Sequence, residues 1–460
     1  MKRKDVAKKT RIKDYKKEKR KIEQLLGINN QIWDENVDEN SFAADSLILA
    51  PVMNIFVLWV LANASSRGIR RLYFLSRDGY PAFIVATKYC KELNLEIECR
   101  YLYCSRYALR MPMYSYNIKE AINYICSGGI HVTWEKIFCR AGMSEIEIQS
   151  VLENLEESID LKKELLYSEL GKAKRLLLGS KEFVGLLIDK SKKEWDMLYG
   201  YFKQEGLFSN DKIAVVDSGW IGTIQKSIND IRHRSGVASD LEGFYFGLYD
   251  IPLESPSNIY HSFFFTPKKG FLNKIFFNNC FYEAVFSENS GITIRYEKEG
   301  HNYVPVLGKK NVLNEKKISQ INKEIVKYTD YIINNMESSK VKELQFYKLR
   351  KVIKRMFRML ICNPTNEEAN YYGTLEFSDG LLDEDKQELA ILMSKKELKR
   401  NYLFVKVYSF IGLLKDSVTE SAWYEGSAVR IGDSFGIYRI NYSVYKIFVY
   451  IKYFFTRGSK

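Results

Sequence analysis

Two short runs hold most of the residues with which this chain could do chemistry. The first is Ser76-Arg77-Asp78-Gly79-Tyr80; the second runs Asp217-Ser218-Gly219-Trp220-Ile221-Gly222-Thr223. In the first, Asp78 offers a carboxylate, Arg77 a planar fork that fits phosphate or carboxylate, and Gly79 a backbone turn that a side chain would forbid. The second places an acid, two glycines and a hydroxyl at the entrance of a helix. Backbone N–H groups, Ser218 and Thr223 could there cradle a phosphate, with Gly219 and Gly222 letting the backbone approach it. Asp217 could hold a magnesium ion or a sugar hydroxyl. The same glycines would equally serve a tight strand-to-helix turn and nothing more. Arg106 and Arg110, in CSRYALRMP, could complete an anion pocket or form ordinary surface ion pairs. Glu283 in FYEAVFSENSG, and Trp423 with Glu425 in SAWYEGS, are polar or aromatic groups inside apolar stretches, and packing at the core or its rim is the simpler expectation for each.

Several reaction classes find no support. The four histidines, His131, His233, His261 and His301, lie far apart and outside any zinc-protease or serine-nucleophile setting. Neither a G-x-x-x-x-G-K-[ST] loop nor a G-x-G-x-x-G turn after a strand is present, so P-loop and dinucleotide chemistry are not indicated. The seven cysteines are irregularly spaced with no C-x-x-C pair, which reads as reduced thiols and a cytosolic protein.

The elements that must position the two runs are legible. RLYFL, Arg71 to Leu75, is an apolar strand leading straight into the first run, and KIAVVDSG, Lys212 to Gly219, leads into the second. After the first run, FIVATKYCKEL has a helical pattern and ECRYLYCS alternates as a strand. Strand, helix, strand is the βαβ signature, so the expected fold is α/β, a parallel Rossmann-like sheet covered by helices. In such sheets ligands bind outside the carboxyl ends of the strands, where both runs fall. A helix from Thr223 to about His233 and a strand GFYFGLY, Gly243 to Tyr249, continue the pattern. From about Ile118 to Gln204 the sequence is helical and charged, which reads as an insertion.

LILAPVMNIFVLWVLANA, Leu47 to Ala64, is about as long as the shortest membrane spans. Asn54 near its centre, and the return to a β-like run soon after, predict a buried core helix instead, with Pro51 in its first turn and Gly68 closing it. Residues 1–45 read as a basic tail and linker, 46–257 as the α/β domain with its insertion, and 258–460 as a mixed, aromatic-rich C-terminal region that is helical from about Asn314 to Met359. Its end, YRINYSVYKIFVYIKYFF, mixes aromatics with Arg439, Lys446 and Lys452. That pattern suits either an interfacial amphipathic helix or a packed terminal helix or strand pair.

The 460 residues, 46% hydrophobic, are enough for a sizeable core, and the net charge of +13 favours acidic partners. Much of that charge sits in the opening MKRKDVAKKTRIKDYKKEKRKIEQLLG, expected as a solvated helical or frayed tail; a nucleic-acid arm is the least expected of its roles.

The succession GIRRLYFLSRDGYPAFIVATKYC, ECRYLYCSRYALRMP, IAVVDSGWIGTIQKSI, GFYFGLY, FYEAVFSENSGITIRYEKEGHNYVPVLG and NPTNEEANYYGTLEFSDG resembles the C-terminal half of bacterial predicted haloacid dehalogenase-superfamily hydrolases found among surface-polysaccharide and glycosyltransferase genes. That hydrolase reaction needs a nucleophilic Asp with a second Asp two residues on, whereas Tyr80 follows Asp78 at that spacing and Gly219 follows Asp217. The family's phosphatase activity is therefore not expected. The layout is also similar to that of phosphoribosyltransferases. That resemblance would put Arg77, Asp78 and Gly79 at pyrophosphate, and Asp217, Ser218, Gly219, Gly222 and Thr223 around a ribose phosphate. Together these resemblances imply a cytoplasmic enzyme of surface-polysaccharide biosynthesis, either free or peripheral to the inner membrane face, that binds a phosphorylated sugar or nucleotide donor with Mg2+ and acts as a transferase or hydrolase. Asp78, Asp217 and Arg77 would be catalytic, and Arg106 would join the phosphate contacts. The alternative is a non-catalytic scaffold that docks onto a glycosyltransferase or a separate hydrolase.

Overall fold

A computed structural model of the chain describes residues 2–28, 42–127, 132–155, 158–165, 167–378, 380, 382, 386–410, 420–433 and 436–457. Most of the proposed linker, and His131, lie outside them.

The protein is built on a parallel sheet of five strands: β1 (Arg71–Leu75), β2 (Glu98–Leu102), β3 (Ile213–Asp217), β4 (Glu242–Gly247) and β5 (Tyr260–Phe265), in the order β2-β1-β3-β4-β5. It is an α/β fold of the Rossmann-like kind. β1 and β3 bury nearly every side chain, as strands covered on both faces must. Alternate residues then divide between two cores. Leu72, Phe74, Ala214, Val216, Phe244 and Phe246 point to one; Tyr73, Leu75, Leu102, Ile213 and Val215 point to the other. Phe74 lies opposite Val216 and Tyr101, so β1 and β3 end side by side. The strand order reverses between β1 and β3, and the crevice above such a reversal is where ligands bind in sheets of this order.

The apolar helix α2 (Ala50–Arg67) covers the first face. The helical stretch Asp45–Arg67 is long and apolar enough to cross a membrane, but 89% of its most apolar window is buried inside the protein. Asn54 is fully buried and satisfied: its side-chain amide donates to the carbonyls of Ala50 and Ile325, and its oxygen accepts from the Tyr89 hydroxyl. Pro51 sits in the first turn, and Gly68, at φ +70°, caps the end with its N–H on Ala64 and Ser65. Helix α3 (Tyr80–Glu92) links β1 to β2.

Between β2 and β3 the chain forms the expected helical insertion, including Ile118–Ile125, Trp134–Arg140, Glu145–Glu153, Tyr167–Gly179 and Lys181–Gln204, around an apolar cluster of its own. Past β5, the helix Val312–Asn335 packs on α2 and α3, the helix Phe346–Phe357 also meets α2, and an antiparallel hairpin, β6 (Thr293–Glu299) and β7 (Asn302–Leu307), leans on β2's exit. There the Tyr296 hydroxyl donates to the Tyr103 carbonyl. Trp423 is fully buried with its indole N–H on the Ile361 carbonyl, and Glu425 is paired with buried Lys446 at 2.6 Å, so both belong to the core.

Two expectations need correction. The sheet does not end at residue 257: β5 lies beyond that boundary, paired with β4, and its unalternating run Phe263-Phe264-Phe265 is buried in the same core as Phe244 and Phe246. Nor is the basic opening a solvated tail. It forms helix α1 (Lys2–Leu25), whose Tyr15 and Ile22 are buried together with Leu26 just past its end. Its cations and acids find partners on distant helices. Arg11 and the Tyr15 hydroxyl both bond Glu368, and Arg355 pairs with Glu18 at 2.7 Å.

Candidate active site

The first loop is shaped by hydrogen bonds to its neighbours. The Ser76 hydroxyl donates to the Cys104 carbonyl and accepts from the Cys104 N–H, which ties the exit of β1 to that of β2. Gly79 turns back on its own strand: its N–H bonds the Leu75 carbonyl at 2.8 Å, and a Cβ there would lie 2.5 Å from that same oxygen. Gly79 is buried and shapes the turn without facing the cleft. In the second loop Gly219, at φ +142°, lets the backbone run against β4, where a Cβ would stand 2.0 Å from the Gly247 carbonyl. Gly222, at φ +76°, is buried against the Tyr260 ring and opens the helix Thr223–Arg234. Both glycines therefore do what a tight turn requires. Each loop also contains one cis peptide bond, Ser76–Arg77 and Gly219–Trp220.

The two loops meet. The Ser218 hydroxyl donates to Asp78 at 2.8 Å, across a separation of 140 positions in sequence. Between the loops lies a cleft of about 240 Å3, lined among others by Arg77, Asp78, Arg106, Asp217, Thr223 and Glu283. Ser218 is buried beneath it as a strut for Asp78. Arg106 is exposed and begins the short helix Arg106–Arg110, whose N-cap, Ser105, accepts from the Ala108 N–H and donates to the Thr293 carbonyl. Arg110 does not reach the cleft: its guanidinium lies over the Tyr124 ring, 4.1 Å from its centre, on the wall of a neighbouring groove.

Glu283 is the site residue that sequence reasoning assigned to packing. It rides on the helix Asn279–Val285, which brings it under the second loop, where the Trp220 indole N–H donates to its carboxylate. A lone acid in an apolar run was the only signal of it in the sequence. A core-rim residue gives the same signal.

Three carboxyl groups thus share one small volume. Burial pushes the Asp217 carboxyl up to about 8, and the charge of Asp78 adds to this; the N–H groups of Ser218 and Gly219 and the guanidinium of Arg106 act the other way. Glu283 is also raised to about 8, again by burial first and Asp78 second, against the opposing pull of Trp220 and Arg106. The cluster thus holds Asp217 and Glu283 toward their protonated form. It can therefore present an acid and a base to one bound molecule. The N-terminus of helix Thr223–Arg234, Arg77 and Arg106 add positive potential on the same side.

Among the described residues no group of three or more His, Cys, Asp or Glu side chains is arranged to hold a metal ion by itself. A magnesium ion at these acids would have to be anchored by one or two ionised carboxylates, its shell completed by water and substrate phosphate.

The fold and the site define an α/β protein with a carboxylate-lined cleft at the reversal point of a parallel sheet. No protein-family model matches the chain, and no curated protein matches it.

Proposed function

We propose that the protein is an enzyme of bacterial surface-polysaccharide assembly that binds a phosphorylated sugar or nucleotide donor in this cleft and transfers or hydrolyses a group at its anomeric or phosphoryl centre. The observation that carries the reading is the convergence of Asp78, Asp217 and Glu283 with Arg77 and Arg106 on one cleft above the β1/β3 reversal. Arg77, Arg106 and the N–H groups at Thr223 would neutralise the donor's phosphate as charge develops on it. A protonated carboxyl of the cluster would give its proton to the leaving oxygen, while an ionised one takes the acceptor's proton. Asp217 and Asp78 would hold magnesium, which when bound supplies charge neutralisation at the phosphate. The biological setting rests on the resemblance to chains of surface-polysaccharide gene clusters. A phosphatase mechanism of the haloacid dehalogenase kind forms no part of the proposal, since neither Asp78 nor Asp217 has a second acid two residues on.

A cytoplasmic site at the inner membrane face fits this reading. The C-terminal helix Ile437–Arg457 turns Ile437, Ile440, Val444, Phe448 and Ile451 outward, at the spacing of one helical stripe. An apolar stripe on a basic protein suits the headgroup layer of an anionic membrane.

The proposal is tested by titrating nucleotide sugars, sugar phosphates and phosphoribosyl pyrophosphate into the protein, with and without magnesium, by calorimetry. Asp217→Asn is expected to weaken binding at least tenfold while the protein stays folded. Unchanged affinity in that variant would remove the reading.

A further inference from the structure

The cleft is small for a whole nucleotide-linked donor. At about 240 Å3 it falls below the range of roughly 300–1,000 Å3 usual for ligand sites. It does not end blindly, however. Thr223 also belongs to a second cavity of about 670 Å3, which runs beside it. One wall of this groove is the helix Thr223–Arg234, whose Thr223, Lys226, Ser227, Asp230, His233 and Arg234 recur at three- and four-residue spacing along one face, a length of roughly 16 Å. The other wall comes from the segment that follows Arg106, with Arg110, Tyr114, Tyr116 and Tyr124. Both walls therefore start at the cleft and lead away from it.

The chemistry of the groove differs from that of the cleft. Two guanidinium groups sit over aromatic rings, Arg234 at 3.8 Å from the centre of Tyr116 and Arg110 at 4.1 Å from that of Tyr124. Such pairs offer flat faces to a planar ring and N–H edges to an anion. Among the described residues the hydroxyls of Tyr114 and Tyr124, behind this wall, have no hydrogen-bond partner, and buried polar atoms of this kind are normally satisfied. Asp230, paired with Lys226 at 2.7 Å, and Glu120 supply acceptors suited to sugar hydroxyls. Arg110, Lys226 and Arg234 outnumber these two acids, which favours an anion.

We infer that this groove is the subsite for the nucleoside part of a nucleoside diphosphate donor, with the diphosphate at Thr223 and the base at the pair formed by Tyr116 and Arg234. The inference rests on the reading of the cleft as the place of the donor's phosphates, and it narrows the donor to the nucleotide-linked class.

Calorimetric titration of the full chain with the diphosphates of uridine, cytidine, thymidine, adenosine and guanosine, and with inorganic pyrophosphate, all with magnesium, tests it. At least one nucleoside diphosphate is expected to bind ten times more tightly than pyrophosphate. Tyr116 and Arg234 are exposed, so Tyr116→Ala and Arg234→Ala should keep the melting temperature; each should erase most of that margin and leave pyrophosphate binding as it was. Pyrophosphate binding as tightly as every nucleoside diphosphate, no binding of any of the five, or a margin that survives both substitutions would overturn the inference. Asp217→Asn separates the two readings. If it leaves pyrophosphate affinity unchanged while Tyr116→Ala still weakens the nucleoside diphosphate, the cleft reading fails and the groove stands as a nucleoside site.

Discussion

Asp217 and Glu283 each titrate far above the range of a free carboxyl, and this has a consequence for stability that needs no ligand. Unfolded, both groups release their protons near pH 4. Folded, they hold them to about pH 8. Between those limits the folded state binds more protons than the unfolded one, so unfolding free energy falls as pH rises. Their contribution is fully present below about pH 4 and lost as pH passes through about 8. Scanning calorimetry from pH 5 to 9 should show a falling melting temperature, and a flatter profile in Asp217→Asn and Glu283→Gln. A variant profile as steep as the parent's would mean that these carboxyls are not held in that environment. Asp78 and Asp217 were legible in the sequence because each follows a short apolar strand, and the end of such a strand is fixed by pattern alone. Glu283 was not, because its place depends on a helix packing beneath a loop more than sixty positions earlier. No local period records such a contact.

At the scale of elements, α1 illustrates how charge can hide a packed surface. Its lysines and arginines dominate the composition, but Tyr15 and Ile22 lie on the one face that meets the protein. Glu368 is buried, accepts from the Tyr15 hydroxyl and pairs with Arg11 at 2.8 Å. Replacing it by Ala strands the Tyr15 hydroxyl and the Thr365 N–H, while Arg11 keeps the Met359 and Asn363 carbonyls, and should cost roughly 1.5–3 kcal/mol, the range for hydrogen bonds that involve a charged group. Urea denaturation checks this; a loss below the error of the measurement would show that α1 adds little to the fold. The strands β1 to β4 were readable from apolar runs bounded by turn residues. β5 was obscured because Tyr260–Phe265 is aromatic without a period, and only the pairing with β4 gives those side chains faces to fill.

At the scale of the whole molecule, the described residues include a buried apolar helix, α2, and an exposed apolar stripe on the last helix. What separates them is context: α2 is apolar all round and is swallowed by the core, whereas the last helix buries Lys446 on one side and leaves Ile440 and Phe448 on the other. If the stripe meets a membrane surface, the double substitution Ile440→Glu and Phe448→Glu should abolish co-sedimentation with vesicles rich in phosphatidylglycerol, with the melting temperature unchanged. Equal sedimentation of parent and variant would dismiss that partner.

The bond between Ser218 and Asp78 joins segments made far apart in time as well as in sequence. As a nascent chain leaves the ribosome, Asp78 must wait for the whole helical insertion before Asp217 emerges, and both wait again for Glu283. An early fragment therefore lacks part of the cleft's lining. Whatever guards the first strands during synthesis must come from local packing or from chaperones.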